Sequence, residues 1–506
     1  MVRRSPTSVN WTDRRDRPPV GLSASGSLRC GRARSKGTVM PRELVLGRPR
    51  RSRTPWVLAI GIALGVGLGF LGLATFRTGE APSVEMDADE PAVGRGTTVT
   101  VRAEAGARGV ARIRVWAVQG DRRVSVADET FEVAPAWKLW ASVPSARQVT
   151  ARVGSETVPG LQEGQLELVV EADGAGTWLF GAKSSRDAQT LPVQLRPPSL
   201  SEVSTATYVA QGGSEAVVYR VGPTATRHGV LVDERFFPGF PLGDTGLMFA
   251  LFAVPYDRDT EAGIVLYAED VVGNRVEMPF IDRFTARPMT RDTIRLSERT
   301  MKVLVERLMA RLPELPDRQS LLANYIQIND DLRHRNDRQL EEIGEETVHR
   351  FTWSRPFLQM PAKVVSSFAD RRTYVYRGKN VDRQDHLGFD LASVRRDSVP
   401  AANDGRVVFA DYLGIYGNCV ILDHGYGLMS LYAHLSSFSV QKGDQVPRGR
   451  EVGRTGTTGL ALGDHLHFSM LLRGLPVNPL EWWDAQWIEN RIAAKLRPAL
   501  TYESEP

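Results

Sequence analysis

Four of the eight histidines of this chain fall near its C-terminal end, in settings that a metal enzyme uses. His386 and Asp390 stand at the two ends of an H-x-x-x-D stretch. His465 and His467 form H-x-H, and His434 lies between the two in Tyr432-Ala433-His434-Leu435. Around the H-x-H, Leu466, Phe468 and Met470 alternate with His465, His467 and Ser469. That is strand periodicity, so both imidazoles share one face while Leu466 and Phe468 turn into a core. A spacing of four would align His386 and Asp390 on a helix, but Gly388 and the following Phe389-Asp390-Leu391-Ala392 point to a loop entering a strand. One imidazole, one carboxylate and a second imidazole make a three-ligand zinc set, with a fourth position left for water. Zinc lowers the pKa of such a water to about 7 and polarises a carbonyl. His434, and whichever of the H-x-H pair is not a ligand, then remain to move protons or steady an oxyanion. Each motif alone is weak, since a lone histidine is more often a satisfied polar residue than a ligand. Their concentration in one stretch is the signal.

The run H-L-G-F-D-L-A, then L-Y-A-H-L, then G-D-H-L-H-F resembles the M23 family of zinc metallopeptidases, the lysostaphin and LytM-like endopeptidases that cut cell-wall peptide cross-links. The resemblance covers roughly residues 360–485. Carried over by position, it implies zinc ligands at His386, Asp390 and His467 and catalytic histidines at His434 and His465. It also implies a substrate-lining role for Asn418, in Gly417-Asn418-Cys419. Every ligand position is filled, so the resemblance implies an active enzyme rather than a relative that only activates other hydrolases. The implied fold is a small, mostly antiparallel β domain with the metal in a groove, and the implied substrate is peptidoglycan. The opening Ser366-Ser367-Phe368-Ala369-Asp370-Arg371-Arg372 resembles the family's S-x-F-G-x-R, with Ala369 in place of glycine.

The elements that must position these residues are mainly β. Glycine turns at Gly443, Gly453 and Gly456 join short strands, and none has the form of a phosphate loop. His424, in a turn beside Gly425, reads as structural, and Cys419 as a buried small hydrophobe. The peptidase domain is expected over residues 350–490. Residues 288–348 read as a helical linker. There Ser297 caps a helix whose Val303, Leu304, Leu308 and Leu312 recur at helical spacing, Pro313 and Pro316 end it, and a second helix runs through Leu332. Its charged half, from Asp330 to Arg338, reads as a solvated face. The functional alternative is a regulatory arm over the zinc groove, or a docking site for a protein regulator on residues 297–346. Residues 93–196 and 197–286 carry evenly spaced alternating runs, expected to form two immunoglobulin-like β-sandwich domains. His228 reads as a surface loop residue, and residues 78–92 as a polar linker.

The chain has 506 residues, room for several domains, and a net charge of +5. The basic excess sits mostly in residues 1–54, an Arg-, Ser-, Pro- and Gly-rich arm read as disordered, in which Met40 offers an alternative start. The remainder is nearly balanced, which argues against nucleic acid as a partner. Residues 55–77 hold an uncharged apolar run of about twenty residues, from 56 to 76, long enough to span a bilayer. Arg48, Arg50, Arg51 and Arg53 precede it, so the N-terminus is expected in the cytoplasm and everything after Arg77 outside. The run is too long and too deep in the chain for an ordinary cleaved signal peptide. The expectation is a single-pass inner-membrane anchor with a periplasmic catalytic domain. Cys30 and Cys419 fall on opposite sides of the span, so there is no disulfide framework. Two rival readings stay open: a wall-binding or activator protein that uses the groove only to hold peptides, and a membrane scaffold whose peptidase is latent until a partner moves a lid.

Overall fold

The computed structural model describes residues 54–503. The basic arm, Cys30 and the arginines before the apolar run lie outside the described residues. The chain is mainly β. The first described element is helix α1, Thr54–Phe76. Its stretch Trp56–Phe76 has 21 residues and a mean hydropathy of 2.4, enough at 1.5 Å per residue to cross a hydrocarbon layer of about 30 Å.

Residues 83–193 form two facing antiparallel sheets around one apolar core containing Val99, Val101, Ile113, Val115, Leu166 and Leu168. The stretch read as a linker contributes to it. Ser83–Ala88 pairs with Thr97–Glu104, because Val84, Met86 and Ala88 alternate with acidic and polar residues and pack on the core. Residues 200–279 form two further four-stranded sheets. His228 lies here on the strand Ala225–Val232 rather than in a loop, its Nδ1 2.8 Å from the Tyr219 hydroxyl. Phe237 and Phe240 are buried.

The C-terminal part is organised by an eight-stranded sheet. At its centre Leu466–Leu472 pairs with Phe389–Ala392 on one side and Leu428–Leu435 on the other. The two-residue repeat sorts these strands onto two faces. Leu466, Phe468, Met470, Leu428, Tyr432, Val420 and Leu422 turn to a core shared with the second β unit and with the C-terminal segment containing Trp482, Ile488, Ile492 and Leu496. Leu471, Met429, Leu431, Cys419 and Ile421 turn the other way. They meet helices α2 (Glu298–Arg311), α3 (Leu321–Gln327) and α4 (Arg333–Gly344), with the wider turn Ile328–Leu332 between the last two, through Met301, Leu304, Leu308, Tyr325, Ile328, Leu332 and Leu340. Ser297 caps α2, accepting from the Thr300 N–H. The histidines project from this second face, so the helices and the candidate site share one side of the sheet.

Candidate metal and catalytic site

Three neighbouring strands bring the ligand candidates together. His386 ends the strand Lys379–His386, Asp390 follows on Phe389–Ala392, and His467 lies directly opposite Asp390 in the register. Gly388 makes the turn between the first two. A β-carbon there would lie 2.5 Å from Ser469 Oγ and 2.6 Å from His467 Nε2, so only glycine lets the loop approach the H-x-H strand.

The donor atoms converge. His386 Nε2 is 2.9 Å from Asp390 Oδ1 and 2.9 Å from His467 Nδ1, and His467 Nδ1 is 3.0 Å from Asp390 Oδ1. All three residues are buried. Their outer partners decide the tautomers. The Ser367 carbonyl, which can only accept, lies 2.9 Å from His386 Nδ1 and takes its N–H. Ser469 donates its hydroxyl to the Leu387 carbonyl at 2.7 Å, so its oxygen accepts from His467 Nε2 at 3.0 Å. When both imidazoles are neutral, these outer bonds aim their lone pairs at a carboxylate oxygen, with no proton among the three atoms. Such a cluster is repulsive unless a cation fills it. A tetrahedral ion with bonds of about 2.0–2.1 Å spaces its ligand atoms by about 3.3 Å, close to the triangle present here. The residues fit a zinc-like ion. Arg372 donates to the other Asp390 oxygen at 3.0 Å and to Ser366 Oγ at 2.7 Å, which holds the carboxylate in plane.

The other two histidines flank the triangle. His434 sits at the end of Leu428–Leu435 with φ of +61°, a left-handed backbone that a residue with a β-carbon adopts at a cost of about 1–2 kcal/mol. Its Nδ1 donates to the Thr458 carbonyl at 2.9 Å, leaving Nε2 unprotonated. His465 donates from Nδ1 to the Gly463 carbonyl at 2.8 Å, and its Nε2 lies 3.5 Å from Asp390 Oδ1. The His434 and His465 ring centres are 4.9 Å apart. Burial, reinforced by His465 and His467, holds the His434 pKa well below its ordinary value, so it stays neutral. Burial also lowers His467, to about 4. Burial pulls His465 down too, but the Asp390 carboxylate outweighs it and the net shift is upward. Burial opposes ionisation of Asp390, yet His386, His465 and His467 together hold its carboxyl well below the usual range.

His386, Asp390, His434, His465 and His467 thus line one cavity of about 230 Å³, whose opposite wall is built by Leu296, Thr300, Leu304, Tyr325 and Arg333. Asn418 lines a separate cavity with Arg307, Arg311, Tyr412, Thr458 and Gly459. Its amide donates to the Leu435 carbonyl at 3.0 Å and its backbone N–H to Thr458 Oγ1 at 3.0 Å, so it braces the loop that holds His434. Sequence reasoning missed Arg372, Ser469 and Thr458. Only Ser469 left a usable trace, as the next residue on the imidazole face of the H-x-H strand.

Such an arrangement can hold a metal beside two proton-carrying imidazoles, the chemistry of a metal-dependent hydrolase. Residues 384–479 match the model described as Peptidase family M23, and this part of the chain is an M23 peptidase domain. The chain is 42% identical over 95 residues to the DD-carboxypeptidase/endopeptidase Mpg of Neisseria meningitidis serogroup B, covering 19% of this chain and 22% of that protein. It is 40% identical over 96 residues to the peptidoglycan DD-endopeptidase ShyA of Vibrio cholerae, again covering 19% and 22%. It is 31% identical over 154 residues to the murein hydrolase activator EnvC of Escherichia coli, covering 29% of this chain and 37% of that one. The first two similarities span about a fifth of those relatives' length.

Proposed function

We propose that the chain is a zinc-dependent endopeptidase that hydrolyses peptide cross-links of cell-wall peptidoglycan. It would be held at the inner membrane by residues 56–76, with its catalytic part in the periplasm. The observation that carries the reading is the convergence of three donor atoms, on His386, Asp390 and His467, within 2.9–3.0 Å of one another. A zinc ion there would supply Lewis acidity and a water acidified to a pKa of about 7. His434 and His465 divide the proton work. Their Nε2 atoms face the reacting position, one to take the water's proton and the other to steady the oxyanion or protonate the departing amine. The neutral state of buried His434 suits it to the base role. Arg372, Ser366, Ser367 and Ser469 act behind the ligands, fixing orientation and tautomer. The names of Mpg and ShyA support the substrate class. The test is mass spectrometry of purified wall fragments after digestion, with and without chelator. Cross-linked dimers should fall to monomers only in its absence; unchanged fragments with zinc present would reject the reading.

A second reading, a peptidase kept latent by its own helices, is favoured by the groove wall. The cavity of about 230 Å³ is below the about 300–1,000 Å³ of ordinary ligand pockets. Arg307 of α2 bonds the carbonyls of Thr457 and Ala461, in the loop beside His465. Arg307→Ala should loosen that wall. A several-fold rise in cross-link cleavage supports latency, whereas an equal or lower rate means that the helices shape the substrate groove instead.

A further inference from the structure

Large apolar side chains are exposed in two loops of the first sandwich. In one loop these are Trp137, Leu139 and Trp140; in the other, Trp178, Leu179 and Phe180. Trp140 is 77% exposed and Trp178 is 72% exposed. Apart from Trp56, on α1, they include every exposed tryptophan among the described residues. Elsewhere in residues 77–503 no loop exposes three large apolar side chains together.

Both loops are fastened to the C-terminal end of α1. The Trp178 indole donates to Thr75 Oγ1 at 3.0 Å, and the Phe180 and Phe76 rings lie 5.4 Å apart. Arg77 donates to the Lys138 carbonyl at 2.9 Å. The joint is tied internally by Arg108, a buried guanidinium that bonds the carbonyls of Ala134 before the first loop, of Arg77 at the helix end, and of Ala175 and Gly176 at the start of the second loop. Gly79 closes it by donating to Ala175 O at 2.7 Å. A mere tether would not need a buried arginine with its N–H groups spread over the helix end and both loops.

We propose that these two loops seat in the interfacial layer of the phospholipid bilayer around the outer end of α1, so that the first sandwich stands on the membrane instead of swinging from it. The chemistry of the patch matches that layer. Tryptophan places an apolar body with a polar N–H and concentrates where hydrocarbon meets headgroups. Lys138, whose ammonium lies 5.0 Å from the Trp137 ring centre, together with Arg77, provides cations at headgroup level. Continuity with the apolar helix selects lipid over a second protein: Thr75 and Phe76 are the last residues of the span, and whatever touches them lies at the same depth. The inference rests on residues 56–76 crossing a membrane.

The test uses the full chain with Cys30→Ser, Cys419 being buried, reconstituted in phosphatidylethanolamine/phosphatidylglycerol vesicles. Single cysteines are introduced as Leu64→Cys in the helix, Trp140→Cys and Leu179→Cys in the loops, and Arg152→Cys on an exposed strand position of the same sandwich. Each is labelled with an environment-sensitive fluorophore and exposed to brominated lipids. Positions 64, 140 and 179 should lose emission and position 152 should not. Quenching at 64 without quenching at 140 and 179 overturns the proposal while the span stands, and makes a protein the cover of the loops. Absence of quenching at 64 removes the span and the proposal with it.

Discussion

At the residue scale, function depends on protons being kept off the wrong atoms. In the proposed function His386 and His467 would serve as ligands because Ser367 O and Ser469 Oγ occupy their far nitrogens. Ser469→Ala frees the His467 tautomer, and zinc affinity measured by chelator competition should fall by about 10–100-fold with the fold intact. His467→Ala should abolish both zinc uptake and cross-link cleavage. His434→Ala should retain zinc and lose about 10²–10⁴ in turnover; zinc content and cleavage rate measured on the same preparation separate the two. An unchanged rate in His434→Ala would remove it from the chemistry. The residue types of this site were legible in the chain, because H-x-x-x-D and H-x-H are local and a strand's period is two. Arg372 and Thr458 were not, because their partners Asp390 and His434 lie 18 and 24 positions away in the chain.

At the element scale, the C-terminal helical segment is pinned to the second β unit by buried charge. Glu481 accepts from the backbone N–H and hydroxyl of Ser214 and pairs with Arg287 at 2.8 Å. Burial pushes its carboxyl up to about 7, against the opposing pull of Arg287. Between the ordinary carboxyl range and pH 7 the folded chain therefore holds a proton that the unfolded chain has released. Stability is lost as the pH rises through this window, by at most about 3 kcal/mol at 1.36 kcal/mol per unit. Glu481→Gln should flatten the melting temperature between pH 5 and 8; an unchanged pH slope would mean that the charge is compensated in place. Glu215, held by Arg491 and by Lys495 at 3.0 Å, forms a second buried pin on the same seam. The helices of residues 298–344 were readable as helices from their apolar spacing and from Ser297. That they wall the site was open, since their charged half read as a solvated face with a regulatory arm over the groove as the alternative. Among the charged half Asp331, His334 and Arg338 are exposed, while the uncharged Asn329 and Asn336 are buried, and Asn336 accepts the Ile415 N–H at 2.9 Å.

At the scale of the whole molecule, the peptidase sheet has both faces covered by other parts of the chain. One face shares its core with residues 209–280 and the C-terminal helices, the other with α2–α4. Arg291–Arg295 adds a parallel strand beside Asp370–Tyr376, next to the first ligand strand. A fragment of residues 350–506 would leave Leu431, Met429 and Ile421 uncovered on one side and would lose the packing of residues 209–280 on the other. It should be insoluble or melt far below a fragment of residues 78–506, which should unfold with the sheet and helices as one transition in circular dichroism and calorimetry. Comparable melting of the two would show that the sheet carries its own core.

The amino-acid sequence by itself determined which side chains can bind metal and move protons, and that a β framework presents them. Both follow from side-chain chemistry and from a two-residue repeat, which need no knowledge of distant partners. Only the tertiary structure decided that the donor atoms converge, that a helical wall narrows the groove, and that two aromatic loops pack at the end of the apolar helix. Those properties belong to pairs of groups far apart in the chain, and burial and hydrogen bonding between such pairs exist only once the chain has folded.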